Sequence, residues 1–320
     1  MGVALALAER TRARAAPNPN VGCVIVRDGR VVGRGWTRAG GRPHAEAVAL
    51  AEAGDAARGA TAYVTLEPCA HESARGPACS NLLVAAGVAR VVAAIGDPDP
   101  RTAGAGFARL EAAGLAVRTG VRADEARRSM AGFLTRRRLG RPQVTLKLAT
   151  SLDGCIAMAD GTSRWITGPR ARAHAHLERS RHEAILVGRG TVEADTPALD
   201  VRLAGLESRA PRRVMLSATL GRDGSADGWT VIASPADIAT LDGVDHILVE
   251  GGARTAAAFL AADLVDRLLL YRAPILIGAG KPAIGDIGID LSATHGRWTA
   301  TDARQLGSDR LEVYERARSD

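Results

Sequence analysis

The sequence predicts a two-domain protein of the α/β class, and three observations support this prediction. Its 320 residues are enough for two domains of ordinary size. Short apolar runs alternate with helical segments in both halves, a pattern typical of sheets layered with helices. Between the halves, Leu139-Gly140-Arg141-Pro142 combines residues that end helices. We therefore expect domains at residues 1–140 and 141–320.

The first half is predicted to begin with a helix, because residues 1–20 start apolar, then carry glutamate and arginine, and lack the leading positive charge of a signal peptide. The Asp28-Gly29 pair favours a turn between two strands. Gly54 and Gly87 follow helical stretches and mark their ends. In order, we expect strands at 21–26 and 31–35, a helix at 44–54, a strand at 62–65, a helix at 79–87, a strand at 90–95, a helix at 106–113, a strand at 115–118 and a helix at 123–138.

The second half repeats the alternation of apolar strands with helical segments. The predicted elements are a strand at 143–149, a helix at 169–180, strands at 184–187, 212–216 and 246–249, a helix at 254–262 and a strand at 266–272. No uncharged apolar stretch approaches the ~18 residues that a membrane span requires, so we expect no membrane partner.

The composition disfavours a nucleic-acid-binding protein despite a net charge of +7. The basic residues are spread along the chain, with Arg136–Arg138 as the one run, which we interpret as a solvated face or linker. Aromatic residues make up 3%, which leaves little material for stacking on bases. Lys147 and Lys281 are the only lysines, so nearly all of the positive charge is arginine. Such a field suits a phosphorylated small substrate.

The four cysteines are too few for a disulfide framework in a chain of this length. Two of them are better explained as metal ligands in a reducing compartment, so we expect a cytoplasmic protein. Cys23 is expected to be a small core residue on a strand.

His44, Cys69 and Cys79 form a candidate zinc site. One imidazole and two thiolates supply three ligands, which leaves the fourth tetrahedral position for water. Glu46, two residues after the histidine, is the candidate general acid and base of a hydrolytic deamination. Zinc lowers the pKa of a bound water to about 7 and so provides a nucleophile at neutral pH.

Two alternatives remain at this point. The site could be closed by a fourth ligand such as His71, which would make it structural and leave Glu46 without a role. The protein could also be a nucleoside or tRNA deaminase with an appended domain. In those enzymes two residues usually separate the cysteines, whereas nine separate Cys69 from Cys79 here.

Residues 18–26 (NPNVGCVIV), residues 40–46 (GGRPHAE) and the long cysteine spacing resemble the deaminase half of the bifunctional riboflavin-biosynthesis family, commonly called RibD. The resemblance implies a cytidine-deaminase-like three-layer α/β/α domain. It also implies that Asn18 binds the pyrimidine, and that His71 and Arg75 face the ribose phosphate of a small phosphorylated pyrimidine substrate.

Four segments of the second half resemble the reductase half of the same family. They are residues 145–154 (TLKLATSLDG), 163–168 (SRWITG), 185–197 (ILVGRGTVEADTP) and 247–255 (ILVEGGART). The resemblance implies a dihydrofolate-reductase-like α/β domain that uses NADPH, and association into a homo-oligomer through that domain. The implied cofactor-binding residues are Ala149, Trp165, Thr191, Asp195, Gly252, Ala253, Arg254 and Thr255. The implied substrate-binding residues are Ser163, Arg179, Leu199, Arg202 and Glu250.

The implied activity is riboflavin biosynthesis. Zinc-dependent deamination of 2,5-diamino-6-(ribosylamino)pyrimidin-4-one 5′-phosphate would be followed by NADPH-dependent reduction of its ribosyl group to ribityl, with Glu250 or Asp195 assisting protonation. Cys155 stands where the family usually has lysine or arginine, and Ser217-Ala218 where aspartate and serine are common. These departures leave open a further alternative, a deaminase whose reductase half is silent.

Overall fold

The computed structural model describes residues 1–72, 75–220, 228–290, 292 and 294–318. The chain divides into two compact units, Met1–Gly140 (unit 1) and Arg141–Asp320 (unit 2). No helix within the described residues combines the length and hydrophobicity that a bilayer crossing requires.

Unit 1 contains a five-stranded sheet with helices packed on it. Its elements are α1 (Gly2–Ala8), β1 (Gly22–Arg27), β2 (Arg30–Trp36), α2 (Ala45–Ala53), β3 (Thr61–Leu66), α3 (Cys79–Ala85), β4 (Arg90–Ile95), α4 (Ala105–Ala112), β5 (Ala116–Arg118), α5 (Ala123–Ser129) and α6 (Ala131–Leu139). The strand order is β2-β1-β3-β4-β5. β1 is antiparallel to β2 and β3, while β3, β4 and β5 run parallel.

Helices cover both faces of this sheet. A Cβ atom on Gly22 would lie 1.9 Å from the carbonyl oxygen of Ala4 in α1, and one on Gly35 would lie 2.0 Å from that of Ala45 in α2. Gly22 pairs with Trp36, so Gly35 faces the other side of the pleat. Glycine therefore lets both helix backbones approach the sheet closely. Cys23 is fully buried between β1 and α2, as predicted.

Unit 2 is built on an eight-stranded sheet of order β10-β9-β8-β11-β6-β12-β15-β14. The first six strands run parallel, and β15 and β14 add an antiparallel edge. Its elements are β6 (Gln143–Thr150), β7 (Cys155–Ala157), α7 (Pro169–Arg179), β8 (Ala184–Gly188), α8 (Arg189–Asp195), β9 (Arg212–Leu216), β10 (Thr230–Ile232), β11 (His246–Val249), α9 (Ala253–Ala261), β12 (Arg267–Arg272), β13 (Lys281–Pro282), β14 (Trp298–Leu306) and β15 (Asp309–Arg316). β7 and β13 pair separately.

The short strands β7, β10 and β13 were not predicted, and the structure differs from the predicted elements at three further places. The helix expected over 123–138 is broken at Met130, where the side chain of the preceding Ser129 is anchored by Glu9 and Asn20. Helix α8 was not predicted; it is supported by an ion pair between Arg189 and Glu193 one turn later. The hairpin β14–β15 was not predicted. Its strands contain many charged residues, which obscure the alternation of apolar and polar side chains.

Candidate active sites

Three metal-binding side chains converge in unit 1. The ligand atoms of His44, Cys69 and Cys79 all lie within 4.8 Å of one another. His44 is the N-cap of α2 and Cys79 is the first residue of α3, so two helix N-termini meet at the site, while Cys69 lies in the loop after β3. Nδ1 of His44 is 3.6 Å from Sγ of Cys69 and 3.4 Å from Sγ of Cys79.

The donor set fits a zinc ion. The backbone N–H of Cys79 donates to Sγ of Cys69 over 3.3 Å. The hydrogen bond between the two side chains lowers the pKa of Cys69 and, together with burial, raises that of Cys79. The two sulfurs therefore share one proton, and a divalent cation that replaces it lets both carry negative charge.

His71 is not part of this cluster. Its Nδ1 lies 3.2 Å from Oγ1 of Thr102 instead. Within the described residues, three donors form the metal-ligating group. The arrangement therefore keeps a coordination position for water, as a catalytic zinc site requires, and does not support the closed alternative.

Glu46 is buried beside these ligands, with 3% of its surface exposed. Burial raises the pKa of its carboxyl from 4.5 to about 7, against the opposing charge of His44. A carboxyl that titrates near neutral pH can both accept and release a proton, which suits general acid–base catalysis.

Glu67 is a buried carboxylate that the sequence reasoning did not identify as functional. It accepts hydrogen bonds from the backbone N–H groups of Asp97, Gly104, Gly106 and Phe107, over 2.9 to 3.2 Å. It thus joins the loop that carries Cys69 to the N-terminus of α4. Its position two residues before Cys69 was the available signal, but its partners are backbone groups distant in the sequence.

A cavity of about 180 Å³ opens beside the metal-binding side chains. Asn18 lines it; its amide nitrogen donates to the carbonyl of Gly41 and lies 3.0 Å from Nε2 of His44. His71 and Arg75 also line it, as the resemblance implied, and Arg75 donates to the carbonyl of Gly40.

The arginine run of α6 contributes to the same cavity. Arg137 lines it together with Phe133, whose ring lies 5.3 Å from the guanidinium. Arg137 is exposed, as expected for a solvated run, and also lines the cavity. Arg42 and Arg101 add further positive charge to the cavity wall.

Unit 2 contains a larger cavity, of about 1010 Å³. It lies where β6, β8 and β11 end, and because these strands are parallel their carboxyl ends share one edge of the sheet. Ten of the predicted residues line it: Ala149, Ser163, Trp165, Arg179, Thr191, Asp195, Leu199, Arg202, Glu250 and Gly252.

The other three predicted residues, at the start of α9, do not line this cavity. Ala253 begins the helix, with Gly252 as N-cap, and Arg254 is exposed. Thr255 is buried, and a Cβ on Gly251 would lie 2.5 Å from its own Cβ. Thr255 therefore packs the turn after β11 tightly against the helix.

Glu250 is the centre of an ion-pair network in the cavity wall. Arg179 donates to both of its carboxylate oxygens, and Nζ of Lys147 lies 3.7 Å away. Burial alone would raise the pKa of Glu250, but Lys147 and Arg179 outweigh it and lower the pKa to about 2. Lys147 was not predicted as a site residue, although it lies inside the TLKLATSLDG segment.

Two family models match the chain. Residues 1–95 match the cytidine and deoxycytidylate deaminase zinc-binding region, and residues 142–311 match the RibD C-terminal domain. The first match covers His44, Cys69 and Cys79, and the second covers the whole wall of the larger cavity described above. The two matches confirm the predicted fold class, with a deaminase-like first half and a reductase half.

Curated relatives match over nearly the full length. RibD of Escherichia coli is 40% identical over 97% of this chain and 96% of its own, and RibD of Mycobacterium tuberculosis is 41% identical over 97% and 95%. Among solved structures, Acinetobacter baumannii RibD is 36% identical with a TM-score of 0.87, over 99% of this chain and 98% of its own.

A further structure, from Thermotoga maritima, is described as a diaminohydroxyphosphoribosylaminopyrimidine deaminase and 5-amino-6-(5-phosphoribosylamino)uracil reductase. It is 30% identical, with a TM-score of 0.89, over 99% of this chain and 97% of its own. The two family models match in order along the chain, and relatives such as RibD of Escherichia coli are 40% identical over 97% of it. The chain therefore belongs to the RibD family of bifunctional riboflavin-biosynthesis enzymes.

Proposed function

We propose that unit 1 deaminates 2,5-diamino-6-(ribosylamino)pyrimidin-4-one 5′-phosphate and that unit 2 reduces the ribosyl group of the product to ribityl with NADPH. The observation that carries the proposal is the convergence of His44, Cys69 and Cys79 beside a buried Glu46. The full-length similarity to RibD proteins supports the pairing of this site with a reductase.

In unit 1, His44, Cys69 and Cys79 would hold the zinc ion, which supplies a water acidic enough to act at neutral pH. Glu46 would accept one proton from the attacking water and donate it to the pyrimidine ring nitrogen. It would then move the second proton, from the new hydroxyl group, to the leaving amine. The carbon–nitrogen bond to the exocyclic amine breaks, and ammonia leaves. Because its pKa is raised to about 7, Glu46 can both accept and donate a proton at neutral pH.

The remaining groups of the smaller cavity would orient the substrate. Asn18, with its amide at the edge of the metal site, suits a contact to the pyrimidine. His71 and Arg75 line the same cavity and suit the ribose phosphate, with Arg137 as a further cation.

In unit 2, NADPH supplies the hydride when it is bound. We propose that Ala149, Trp165, Thr191, Asp195 and the turn at Gly252 hold it, while Ser163, Arg179, Leu199, Arg202 and Glu250 hold the sugar phosphate. The C1–O bond of the ribose breaks, C1 receives the hydride, and the ring oxygen receives a proton.

Lys147 is our candidate for the donor of that proton. Glu250, with a pKa of about 2, is ionised at neutral pH and suits anchoring rather than donation. Arginine does not release its proton in proteins, so Arg179 is excluded as a donor. The ammonium of Lys147 lines the cavity, borders Glu250 and is able to release a proton.

We further infer that the protein works in the cytoplasm as a homo-oligomer assembled through unit 2. None of the four cysteines, all within the described residues, forms a disulfide, which suits a reducing compartment. Leu152, Ile275 and Leu276 are exposed on neighbouring segments of unit 2, joined by a backbone hydrogen bond from Leu152 to Ile275, and form an apolar patch suited to association.

One assay with two readouts tests the proposal. The diaminopyrimidine phosphate is supplied with NADPH, and ammonia release and nicotinamide oxidation are followed separately. We expect ammonia first and then oxidation of one nicotinamide per substrate. Ammonia without oxidation would favour a silent reductase, and deamination of cytidine or tRNA instead would overturn the assignment of the substrate.

A further inference from the structure

Lys281 lies at the larger cavity of unit 2, a position that the proposed reaction does not use. It is one of only two lysines among 42 lysine and arginine residues, and both lysines line this cavity. Lys281 begins β13, whose pairing with β7 sets it directly opposite Ala157. Its Nζ reaches toward the segment before Ser163: a Cβ on Gly161 would lie 3.1 Å from it.

Among the residues that the structure describes, no ion pair neutralises the positive charge of Lys281. Four other cations of the cavity wall are paired with carboxylates: Arg164 with Asp195, Arg179 and Lys147 with Glu250, and Arg202 with Asp200. A fifth, Arg172, donates to the carbonyl of Thr167 and lies over the ring of Trp165. For Lys281, the residues that the structure describes offer no carboxylate oxygen within 4.0 Å. The pKa of Asp160 is lowered mainly by hydrogen bonds from Thr162, and the charge of Lys281 adds to this shift.

Cys155 on β7 lies on the same face as Lys281 but carries no positive charge. Residues 155 and 157 of β7 point to the same face, and that face also carries the side chain opposite Ala157, which is Lys281. Cys155 itself is buried, with Sγ directed at the carbonyl of Gly278, and offers no charge to the cavity. The ammonium of Lys281 on β13 is therefore the positive charge on this face, because β7 contributes no cation there.

We propose that Lys281 binds a phosphate group of a ligand in the larger cavity, supplying from β13 a charge that β7 lacks. The inference rests on the proposed reductase function, whose two ligands, cofactor and sugar phosphate, both carry phosphates. An ammonium at the rim that has no ion pair loses little on binding and gains a charge-assisted hydrogen bond. Lys281 is thus a binding residue for an anion and takes no part in hydride or proton transfer.

The test measures equilibrium binding and kinetics in the full-length protein carrying Lys281→Ala. Titrations with NADPH, NADP⁺ and NADH, followed by nicotinamide fluorescence or calorimetry, report the cofactor; KM for the deaminated substrate reports the sugar phosphate. We expect one of the two ligands to bind roughly threefold to tenfold more weakly, with kcat changed less than twofold. A loss for NADPH but not NADH locates the contact at the 2′-phosphate, and a loss for both locates it at the pyrophosphate. A raised substrate KM with unchanged cofactor binding locates it at the sugar phosphate.

Three variants make the result decisive. Lys281→Arg keeps the charge and should bind like the wild type. Cys155→Lys in the Lys281→Ala background returns an ammonium to the same face and should recover part of the lost affinity. Arg310→Ala removes an exposed charge that does not line the cavity and should change nothing.

Wild-type affinity for every ligand in Lys281→Ala overturns the proposal. So does a loss that neither Lys281→Arg nor the Cys155→Lys variant recovers while thermal unfolding stays normal. A wild-type protein that binds these ligands through Lys281 but oxidises no nicotinamide would instead contradict the proposed reductase function.

Discussion

Arg179 and Glu250 form a two-bond ion pair in the wall of the larger cavity, with nitrogen–oxygen distances of 2.8 and 3.0 Å. Arg179 ends α7, and Glu250 follows directly after β11. The pair therefore joins the helix layer to the carboxyl edge of the sheet. It also keeps a buried carboxylate charged, which would be costly without its two cationic neighbours.

Glu250→Gln should destabilise unit 2 in a pH-dependent manner. The folded-state pKa of Glu250 is lowered from 4.5 to about 2, so its charge stabilises the fold above about pH 4.5, and this stabilisation is lost as the pH falls toward 2. At pH 7 the shift corresponds to roughly 3 kcal/mol. Denaturant unfolding can be followed by tryptophan fluorescence, since three of the four tryptophans lie in unit 2. A difference between wild type and variant that is constant from pH 7 to pH 2.5 would contradict the ion-pair account.

Lys147→Gln should slow the reduction roughly a hundredfold, because the ring oxygen loses its proton donor. Lys147→Arg should fail as well, since a guanidinium keeps the charge but does not release a proton. Single-turnover oxidation of nicotinamide with deaminated substrate measures the step directly, and ammonia release from the diamino substrate serves as the control. A Lys147→Arg protein with the wild-type rate would show that charge alone is needed.

Cys79→Ser should remove the bound metal and the deaminase activity together. The variant loses one of two sulfur ligands, so zinc content should fall from about one ion per chain to a small fraction. Metal analysis after dialysis checks the expectation. Cys155→Ser is the matched control, because Cys155 is equally buried but lies in unit 2. Full zinc content in Cys79→Ser would show that the metal has other ligands.

Glu67→Gln should weaken the metal site without touching a ligand. The amide nitrogen of glutamine donates where Glu67 accepts, so at least one of the four backbone N–H groups loses its partner. We expect a loss of about 2 kcal/mol in the stability of unit 1, and faster release of zinc to a chelator. Glu111→Gln, an exposed glutamate on α4, is the control. Unchanged zinc release in Glu67→Gln would mean that the loop carrying Cys69 holds its shape by other contacts.

The metal site could be predicted from the sequence because its residues are chemically rare. Four cysteines and seven histidines leave few ways to assemble a zinc site, and Glu46 follows His44 at a fixed short spacing. Much of the element order could also be predicted, since buried parallel strands such as β8 and β11 are nearly continuous apolar runs.

What the sequence did not reveal depends on contacts between distant segments. Glu67 matters because four backbone N–H groups from residues 97–107 converge on it, and no side-chain pattern encodes that. Phe133 and Arg137 lie one turn apart on α6, and the packing of that helix places both at the cavity wall. The charge state of Glu250 follows from two partners 103 and 71 positions away.

The most direct test of the central claim uses Glu46→Gln, which removes the proposed proton carrier of unit 1 and leaves unit 2 intact. With the diaminopyrimidine phosphate as substrate, we expect ammonia release to fall by at least roughly a hundredfold. With substrate that is already deaminated, the same protein should oxidise nicotinamide at the wild-type rate. Ammonia release by Glu46→Gln at the wild-type rate would contradict the role given to Glu46 and, with it, the account of the metal site as a deaminase centre.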